Sequence, residues 1–329
     1  MNITSVIRSA AVAVTAALAM SFLAPAAVAD PPQYRRLVGV GSDTTQDVLS
    51  ALGSVVADPD GVPHSLLIGS YDATGPSPVK TRPVGCQIPR PNGSHAGIAA
   101  LRDDIASGTH CVDFARSSVG PEDAAETRST RLTFIPFAKD AVTVAVRSNS
   151  ALNDGTGFTT EQLHDIYTCA LTTYNGVVLT PLLPQPGSGT RSFFLREIGV
   201  TEPQIGSCVD GTVQEHDGTA LDTVGDIAPY SVARYIAQTH GVVADRHGVT
   251  VLSRLEGVAP RVSGRLNTLF PFTRDVYNVV RTAELTGGPT PDPDLISAFV
   301  GPTSTVCAQA NLIQVYGFAT LGSACGSTL

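Results

Sequence analysis

The feature that most constrains the fold is the alternation of short β-rich runs with helical patterns. "RRLVGVGS" precedes "TTQDVLSALGSVV", "GIAALRDDIASG" precedes "CVDFARSS", and "DAVTVAVRS" precedes "TTEQLHDIYT". This alternation predicts an α/β architecture with mainly parallel sheets flanked by helices. In such sheets ligands bind beyond the carboxyl ends of strands, at the amino ends of the following helices. Functional residues are therefore expected at strand-to-helix turns.

Residues 1–29 have the layout of a cleavable secretory signal. Arg8 lies in a polar start, an apolar run covers 10–23, and Ala27-Val28-Ala29 precedes Asp30. We predict cleavage after Ala29, a secreted or extracytoplasmic location, and no lipid anchor, because no cysteine lies at the cleavage point. A retained membrane anchor is the alternative, but the apolar run is shorter than a membrane span requires.

The cysteines all lie in the part that would be exported. An even number of them in an oxidising compartment predicts disulfides, and their spacings match no zinc pattern. Sequence alone does not choose among the possible pairings. Our prediction pairs neighbours along the chain, namely Cys86 with Cys111, Cys169 with Cys208, and Cys307 with Cys325.

Charge and composition exclude one class of partner. The formal net charge is −8, and Lys80 and Lys139 are the only lysines. A nucleic-acid surface needs a cluster of basic residues, and the sequence has none. We expect a secreted globular protein without nucleic-acid partners or cofactors, and a monomer.

Four strand-to-helix turns are rich in glycine and hydroxyl side chains. A helix amino terminus has unpaired N–H groups and a partial positive charge, so it favours anions, and glycine lets an oxyanion approach the backbone. Several such turns facing one point would form an anion cage that needs few charged side chains. In chain order they contribute Ser42, Asp43, Thr44 and Thr45; Asn92, Gly93 and Ser94; Arg116, Ser117 and Ser118; and Gly187, Ser188, Gly189, Thr190 and Arg191.

Each turn also has a purely structural interpretation. Ser, Thr, Asp and Asn are preferred as helix N-caps in any protein, so Ser42, Ser94 and Ser188 could serve only as caps. The occurrence of four such turns, each at a strand-to-helix junction, favours ligand binding.

In order and spacing, these turns resemble those of the phosphate-binding substrate-capture proteins of bacterial ABC transporters, which have the type 2 periplasmic-binding-protein fold. The matching segments are "GVGSDT" at 39–44, "GSHAG" at 93–97, "DFARSSVGP" at 113–121 in place of the family's "DFGASDAPL", and "GSGT" at 187–190. "FIPFAKDAVTVAV", "GDIAPYSVARYIAQ" and "LFPFTRDVYNVV" are also similar, so the resemblance covers about residues 37–320.

The resemblance implies a two-lobed protein with two hinge crossings, near Ala138-Lys139 and Pro271-Phe272. Lobe I would comprise residues 30–138 and 271–329, and lobe II residues 139–270. Ligand would lie in the cleft, and the lobes would close around it. The implied function is capture of an oxyanion, inorganic phosphate above all, for uptake by an ABC permease, without catalysis, metal or cofactor.

Carried over by position, the resemblance implies a set of ligand-binding residues. Ser94, Ser188, Gly189 and Thr190 would donate to the anion. The first-turn contacts would come from Ser42, Asp43 and Thr44.

Two departures from the family pattern concern charged residues. Pro184 stands where the family has an arginine, and either Arg116 or Arg191 could replace it, because a guanidinium binds phosphate well. We prefer Arg116; Arg191 could instead be an ordinary helix-surface residue. Ser118 replaces the aspartate that accepts the proton of hydrogen phosphate. Asp43 could supply this acceptor, or it could be an N-cap.

Two other functions remain open at this point. An exported phosphatase would need a catalytic group, but the sequence lacks a hydrolase elbow. Histidines 95, 164, 216 and 240 lie in polar segments, and we expect them at the surface. The other alternative is a secreted scavenging or interaction protein that keeps the fold without transport.

Overall fold

A computed structural model describes residues 30–62, 64–121 and 131–328 of the chain. The predicted signal sequence, residues 1–29, lies outside the described residues. The strands are β1 (Leu37–Gly41), β2 (Ile68–Ser70), β3 (Val79–Lys80), β4 (Gln87–Ile88), β5 (Phe114–Ser117), β6 (Leu132–Arg147), β7 (Thr173–Tyr174), β8 (Val177–Val178), β9 (Thr180–Pro184), β10 (Asp210–Val213), β11 (Asp226–Ser231), β12 (Thr250–Leu252), β13 (Arg261–Val262), β14 (Arg265–Leu266), β15 (Thr273–Arg281) and β16 (Ala319–Thr320).

The helices are short and lie between the strands. They are α1 (Gln46–Gly53), α2 (Ser94–Ser107), α3 (Thr160–Tyr167), α4 (Gly189–Glu197), α5 (Val232–Thr239), α6 (Pro293–Phe299) and α7 (Ala310–Val315). Short 3₁₀ helices cover Glu202–Gln204, Gly218–Ala220, Thr282–Glu284, Cys307–Gln309 and Gly322–Ala324.

One mixed sheet holds most of the strands, in the order β10-β9-β11-β6-β15-β5-β1-β2, with β12 and β16 also paired to β6. β1 pairs in parallel with β2 and β5, and β9 pairs in parallel with β10 and β11. The central strands β6 and β15 run antiparallel to their neighbours. The predicted α/β class is confirmed, with parallel pairing in the outer strands and antiparallel pairing in the middle.

The 16-residue strand β6 connects the two halves of the molecule. Its first part, up to Ala141, pairs with β15, and its last part, from Val142 to Val146, pairs with β11. The predicted crossing at 138–139 falls inside β6, and the one at 271–272 falls directly before β15. The lobe boundaries themselves stay a prediction.

Apolar residues on the helices pack against the sheet. In α1, Val48, Leu49 and Leu52 recur at helical spacing, and each is at most 1% exposed. They belong to one core cluster that extends from β1 to the C-terminal segment. Burial of this apolar surface is the main stabilising term, and it fixes the ends of the strands from which the site is built.

The three predicted disulfides are confirmed, with loops closed over 25, 39 and 18 residues. The loss of loop entropy in the unfolded chain gives each a contribution of about 3 to 4 kcal/mol, the most for the longest loop. Among the residues that the structure describes, no helix has the length and apolar character needed to cross a membrane.

Candidate functional site

The four predicted turns converge on one buried point. Thr44 Oγ1 lies 3.4 Å from Ser118 Oγ and 3.4 Å from Thr190 Oγ1, and Ser94 Oγ lies 3.2 Å from Ser118 Oγ. Each of these residues is at most 1% exposed. We call these four side chains, one from each turn, the hydroxyl cluster.

Strand ends and helix starts position the hydroxyl cluster. Thr44 lies in the turn between β1 and α1, and Ser118 directly follows β5. Ser94 is the first residue of α2, and Thr190 lies in the first turn of α4. The amino-terminal turns of two helices therefore reach the cluster, where unpaired N–H groups favour negative charge.

Two glycines allow the turns to approach one another. A Cβ at Gly189 would lie 2.4 Å from Ser94 Oγ and 2.5 Å from Ser118 Oγ. A Cβ at Gly93, whose φ is +110°, would lie 2.3 Å from the carbonyl oxygen of Gly187. Any side chain at these positions would therefore push the second and fourth turns apart.

The capping interpretation is confirmed for one of the three serines. Ser188 Oγ accepts from the N–H of Arg191 at 3.0 Å and caps α4. Ser94 Oγ instead accepts from the N–H of Ser118 at 2.9 Å, so it holds the third turn in place. The buried hydroxyl of Ser42 has no hydrogen-bond partner among the described residues.

Both arginines that the sequence offered for anion binding are engaged in the scaffold. Arg116 is buried, and its guanidinium donates to carbonyl oxygens of Gly39, Gly41 and Ser42 at 3.1 to 3.2 Å. Arg191 Nε and Nη2 bind the two carboxylate oxygens of Glu202 at 2.8 and 2.7 Å. These contacts do not support either residue as the replacement for the family's arginine.

Arg274 on β15 supplies the positive charge at the hydroxyl cluster, and sequence reasoning missed it. Its Nη2 lies 3.0 Å from Thr190 Oγ1 and 3.4 Å from Thr44 Oγ1. The residue is 5% exposed, and its Nη1 has no hydrogen-bond partner in the described part of the chain. An unpartnered buried donor at this point is available to an anion.

Asp140 on β6 fixes the direction of Arg274. The two residues are register partners across β6 and β15, and Asp140 Oδ2 accepts from Arg274 Nε at 3.1 Å and Nη2 at 2.9 Å. Asp140 Oδ1 accepts from Ser231 Oγ at 2.9 Å and from the N–H of Ala233 at 3.1 Å. The central strands thereby place a guanidinium where the two halves of the molecule meet.

Glu215 and His216, which follow Gln214 after the end of β10, complete the site, and the expectation that His216 lies at the surface is wrong. Each of the two residues is 3% exposed. His216 Nε2 lies 3.0 Å from Thr44 Oγ1 and 3.4 Å from Thr190 Oγ1, and Glu215 Oε2 lies 3.5 Å from Thr44 Oγ1. The signal was the run "QEHD" directly after a strand, the position where α/β sheets place ligand contacts.

The pKa values of the two buried carboxylates of the site, Glu215 and Asp43, are shifted in opposite directions. Burial alone would raise the pKa of Glu215, but hydrogen bonds from His216 and Ser188 and the charge of Arg274 hold it below its usual value. Burial raises the pKa of Asp43, despite the nearby charge of Arg234. Glu215 is therefore the carboxylate that stays ionised more firmly.

Asp43 is not a helix cap in this structure. The N-cap position of α1 is held by Thr45, which makes no side-chain cap hydrogen bond. Its Oδ2 accepts from Gln214 Nε2 at 3.4 Å, and its Oδ1 lies 4.0 Å from Arg234 Nε. The carboxylate therefore points across the interface between the predicted lobes.

Asp43, Glu215 and His216 each offer one possible metal-ligand atom, and these atoms lie within 4.8 Å of one another. The N–H of Ser231 donates to His216 Nδ1 at 3.3 Å, so the neutral ring carries its proton on Nε2. A protonated Nε2 donates a hydrogen bond and cannot coordinate a metal ion. The donor set therefore fits a hydrogen-bonding site better than a metal site.

Comparisons with known proteins agree with this architecture. The sequence profile of the PBP superfamily domain matches residues 26–299. No curated protein matches the sequence.

Several solved structures share the fold. A Clostridium perfringens protein, assigned as a phosphate ABC transporter substrate-binding protein and solved with bound phosphate, matches with a TM-score of 0.60 at 14% identity, covering 87% of this chain and 99% of that chain. An ABC-type phosphate transport receptor from Vibrio cholerae matches with a TM-score of 0.56 at 15% identity, covering 86% and 99%. A phosphate-binding protein from Stenotrophomonas maltophilia matches with a TM-score of 0.50 at 12% identity, covering 88% and 91%. At these identities the likeness establishes the fold alone.

Proposed function

Because this chain belongs to the PBP superfamily, we propose that it is an exported solute-binding protein that captures an oxyanion, inorganic phosphate, between its two lobes. The observation that carries the proposal is the hydroxyl cluster, in which one hydroxyl from each of four turns meets Arg274 at a buried point. A tetrahedral oxyanion presents acceptor oxygens in several directions, which matches donors that converge from several elements.

The proposed anion ligands are mostly neutral donors. The hydroxyl cluster, the Ser188 hydroxyl and the backbone at Gly189 surround the point, and Arg274 contributes the formal charge. Neutral donors held by the scaffold bind an anion without the desolvation cost of additional buried charges. The few lysines of the chain are consistent with such a site.

Glu215 is the best-placed group to select phosphate over sulfate. Its ionised Oε2, 3.5 Å from Thr44 Oγ1, faces the cluster, whereas the carboxylate of Asp43 faces Gln214 and Arg234. An ionised carboxylate only accepts hydrogen bonds, so it favours an anion whose facing oxygen carries a proton. Hydrogen phosphate has such an oxygen at neutral pH and sulfate does not. The acceptor role that the sequence suggested for Asp43 is therefore assigned to Glu215 in this proposal.

The proposal includes uptake through an ABC permease and an extracytoplasmic location. The three disulfides fit an oxidising compartment, as does the predicted secretory signal. Two of the structural neighbours are described as ABC-type phosphate transport components. A permease encoded beside this protein would support transport over a scavenging role.

The tautomer of His216 argues for binding over phosphate-ester hydrolysis. Thr44 Oγ1 and His216 Nε2 are 3.0 Å apart, a distance at which a histidine could activate a nucleophile. With its proton on Nε2, however, this histidine donates to the threonine and cannot take its proton. We therefore expect no phosphate release from p-nitrophenyl phosphate.

Calorimetric titration with phosphate and then sulfate tests the proposed function. The protein is first unfolded with its disulfides intact and refolded, which removes ligand carried through purification. Tight phosphate binding with at least about 100-fold weaker sulfate binding is expected. Binding of neither anion would refute the proposal.

A further inference from the structure

A second cavity adjoins the hydroxyl cluster on the side of Glu215. It has a volume of about 170 Å³ and lies between the predicted lobes. We call it the acidic cavity, because its lining includes four carboxylates, those of Asp43, Asp47, Asp72 and Glu215. Glu215 is common to both regions, since its Oε2 lies near Thr44 of the cluster.

The arginines of the acidic cavity neutralise only part of this charge. Arg234 Nη1 forms an ion pair with Asp47, and its Nε lies 4.0 Å from Asp43 Oδ1; neither nitrogen makes a hydrogen bond to a described residue. Arg246 Nη1 forms a loose ion pair, at 3.7 Å, with Asp217 Oδ2, outside the cavity lining. Negative charge therefore remains in excess along the lining.

Three carboxylate oxygens of the acidic cavity lack partners. Asp43 Oδ1, Asp72 Oδ1 and Glu215 Oε1 are buried and make no hydrogen bond to any described residue. Asp43 and Glu215 are only 5% and 3% exposed. A buried carboxylate oxygen without a donor is strongly unfavourable, so these atoms point to a ligand that brings positive charge and N–H donors.

The character of the cavity favours an organic ammonium group over a metal ion. Val242, Val243 and Tyr316 contribute carbon surface to the lining, which suits an alkyl chain. Ca²⁺ takes about six to eight oxygen ligands and Mg²⁺ keeps several waters, and two neighbouring carboxylates beside this carbon surface supply few of them. An ammonium has three N–H donors, enough for the unpartnered oxygens of Asp43 and Glu215, whose carboxylates come within 4.8 Å of each other.

The position of Glu215 determines how such a compound would be oriented. Glu215 Oε2 excludes an anionic oxygen from one corner of the phosphoryl tetrahedron, where inorganic phosphate presents its P–OH. In a phosphate monoester that corner is occupied by the ester oxygen and its alkyl chain. The chain would then leave the hydroxyl cluster directly into the acidic cavity.

We propose that the site binds aminoalkyl phosphate or phosphonate compounds, with the phosphoryl group in the hydroxyl cluster and the ammonium group between Asp43 and Glu215, in the cavity that Asp72 also lines. This inference rests on the proposed function, because it uses the same anion site. It extends the ligand class from inorganic phosphate to zwitterionic phosphoryl compounds.

Calorimetry with a matched pair of esters tests the inference. O-phosphoethanolamine and propyl phosphate have the same length, but the first ends in an ammonium and the second in a methyl group. In buffer with EDTA, we expect phosphoethanolamine to bind at least about tenfold more tightly, because charge-assisted hydrogen bonds are gained. Because both esters carry the same phosphoryl group, a change in the hydroxyl cluster alters both affinities alike and leaves their ratio unchanged.

Variants assign the preference to the cavity. Asp43→Asn and, independently, Asp72→Asn should bring the ratio towards one, and either variant suffices if the other fails to fold. Asp222→Asn removes an exposed carboxylate outside the cavity lining and should leave the ratio unchanged.

The alternative results are distinguishable. Equal affinities for the two esters, or binding of phosphate with neither ester, would overturn the inference and leave the proposed function intact. Equal affinities accompanied by calcium or magnesium binding that Asp43→Asn abolishes would assign the carboxylates to a metal and also overturn it. Failure of phosphate and of both esters to bind would contradict the inference and the proposed function together.

Discussion

The hydroxyl cluster and the acidic cavity lie side by side, and both are built from residues of the two predicted lobes, but their polar groups are satisfied in different ways. In the cluster, each of the four hydroxyls lies within 3.4 Å of another hydroxyl of the set. In the cavity, three carboxylate oxygens have no donor among the described residues. The difference follows from chemistry, because a hydroxyl both donates and accepts whereas a carboxylate only accepts.

Under the proposed function, this comparison separates the part of the site that would carry affinity from the part that would carry selectivity. The cluster and Arg274 offer donors to any oxyanion of suitable size. Glu215 and the acidic cavity would restrict which chemical groups of a ligand can lie on one side of that anion. Substitutions in the hydroxyl cluster and in the acidic cavity test this division.

The largest effect is expected from removing the charge of Arg274. Arg274→Met should lower phosphate affinity by about 1,000-fold, because it removes the charged donor at the cluster. It should also lower the free energy of unfolding by about 3 to 5 kcal/mol, since Asp140 is left buried without its cation. Calorimetry and urea denaturation measure the two effects.

Arg281→Met is the matched control for this variant. Arg281 is also a buried arginine and pairs with Asp104 and Glu284, away from the cluster. The Arg281→Met protein should show a comparable decrease in the free energy of unfolding and should bind phosphate with unchanged affinity. Normal phosphate binding by Arg274→Met would remove the arginine from the site.

The next effect tests selectivity. Glu215→Gln should reduce the preference for phosphate over sulfate by about 100-fold, because an amide can donate to a sulfate oxygen and carries no charge. Competition between the two anions in calorimetry gives the ratio directly. Glu284→Gln, which changes a buried acid paired with Arg281, is the control. An unchanged ratio in Glu215→Gln would return the acceptor role to another group, Asp43 first.

A smaller effect is expected from adding one methyl group to the cluster. Gly189→Ala should weaken phosphate binding by about tenfold, since its Cβ would press on the hydroxyls of Ser94 and Ser118. At Gly211 a Cβ would lie 3.0 Å from Nη1 of Arg191, whose guanidinium is engaged with Glu202 and not with the cluster, so Gly211→Ala should bind phosphate normally. Equal affinities of the two variants would show that the turns do not meet as described.

The smallest effect concerns the contribution of the acidic cavity to the free energy of unfolding. Burial raises the pKa of Asp72 to about 6, above the value of about 3.9 in an unfolded chain. The folded protein then binds a proton that the unfolded chain has lost between these two values, so its stability rises as the pH falls through about 6. Asp72→Asn should stabilise the protein by about 1 to 2 kcal/mol above pH 7, allowing for solvent screening, and by much less near pH 4.

Urea denaturation at the two pH values measures this difference, with Asp222→Asn as the exposed control. A stabilisation that does not change with pH would mean that burial does not raise the pKa of Asp72.

Much of the fold was accessible from the sequence because it depends on local patterns. The alternation of strand and helix patterns, the glycine-rich turns and the pairing of neighbouring cysteines all act over short stretches of chain. Helix starts such as Ser188 could be placed, because capping depends on residues within one turn. The meeting of the four turns followed from the expectation that strand ends and helix starts share one edge of a sheet.

The charged part of the site was missed because it depends on long-range register. Arg274 lies opposite Asp140 only because β15 and β6 pair across 134 residues of chain. A weak signal was present, since Arg274 alternates with Val276 and Asn278 on the buried face of β15. Arg116 looked suitable for anion binding by its position in the third turn. Its Nη1 and Nη2 instead donate to the carbonyl oxygens of Gly39 and Gly41, contacts that no sequence pattern reveals.

The most direct test of the central claim is a crystal structure of the refolded protein grown with arsenate, with data collected at the arsenic absorption edge. Arsenate is a tetrahedral oxyanion of nearly the same shape as phosphate, and its anomalous signal identifies it without ambiguity. The account predicts one strong peak within hydrogen-bonding reach of Thr44, Thr190 and Arg274, with one arsenate oxygen facing Glu215. A well-ordered crystal with no peak there, or with the anion bound elsewhere, would contradict it.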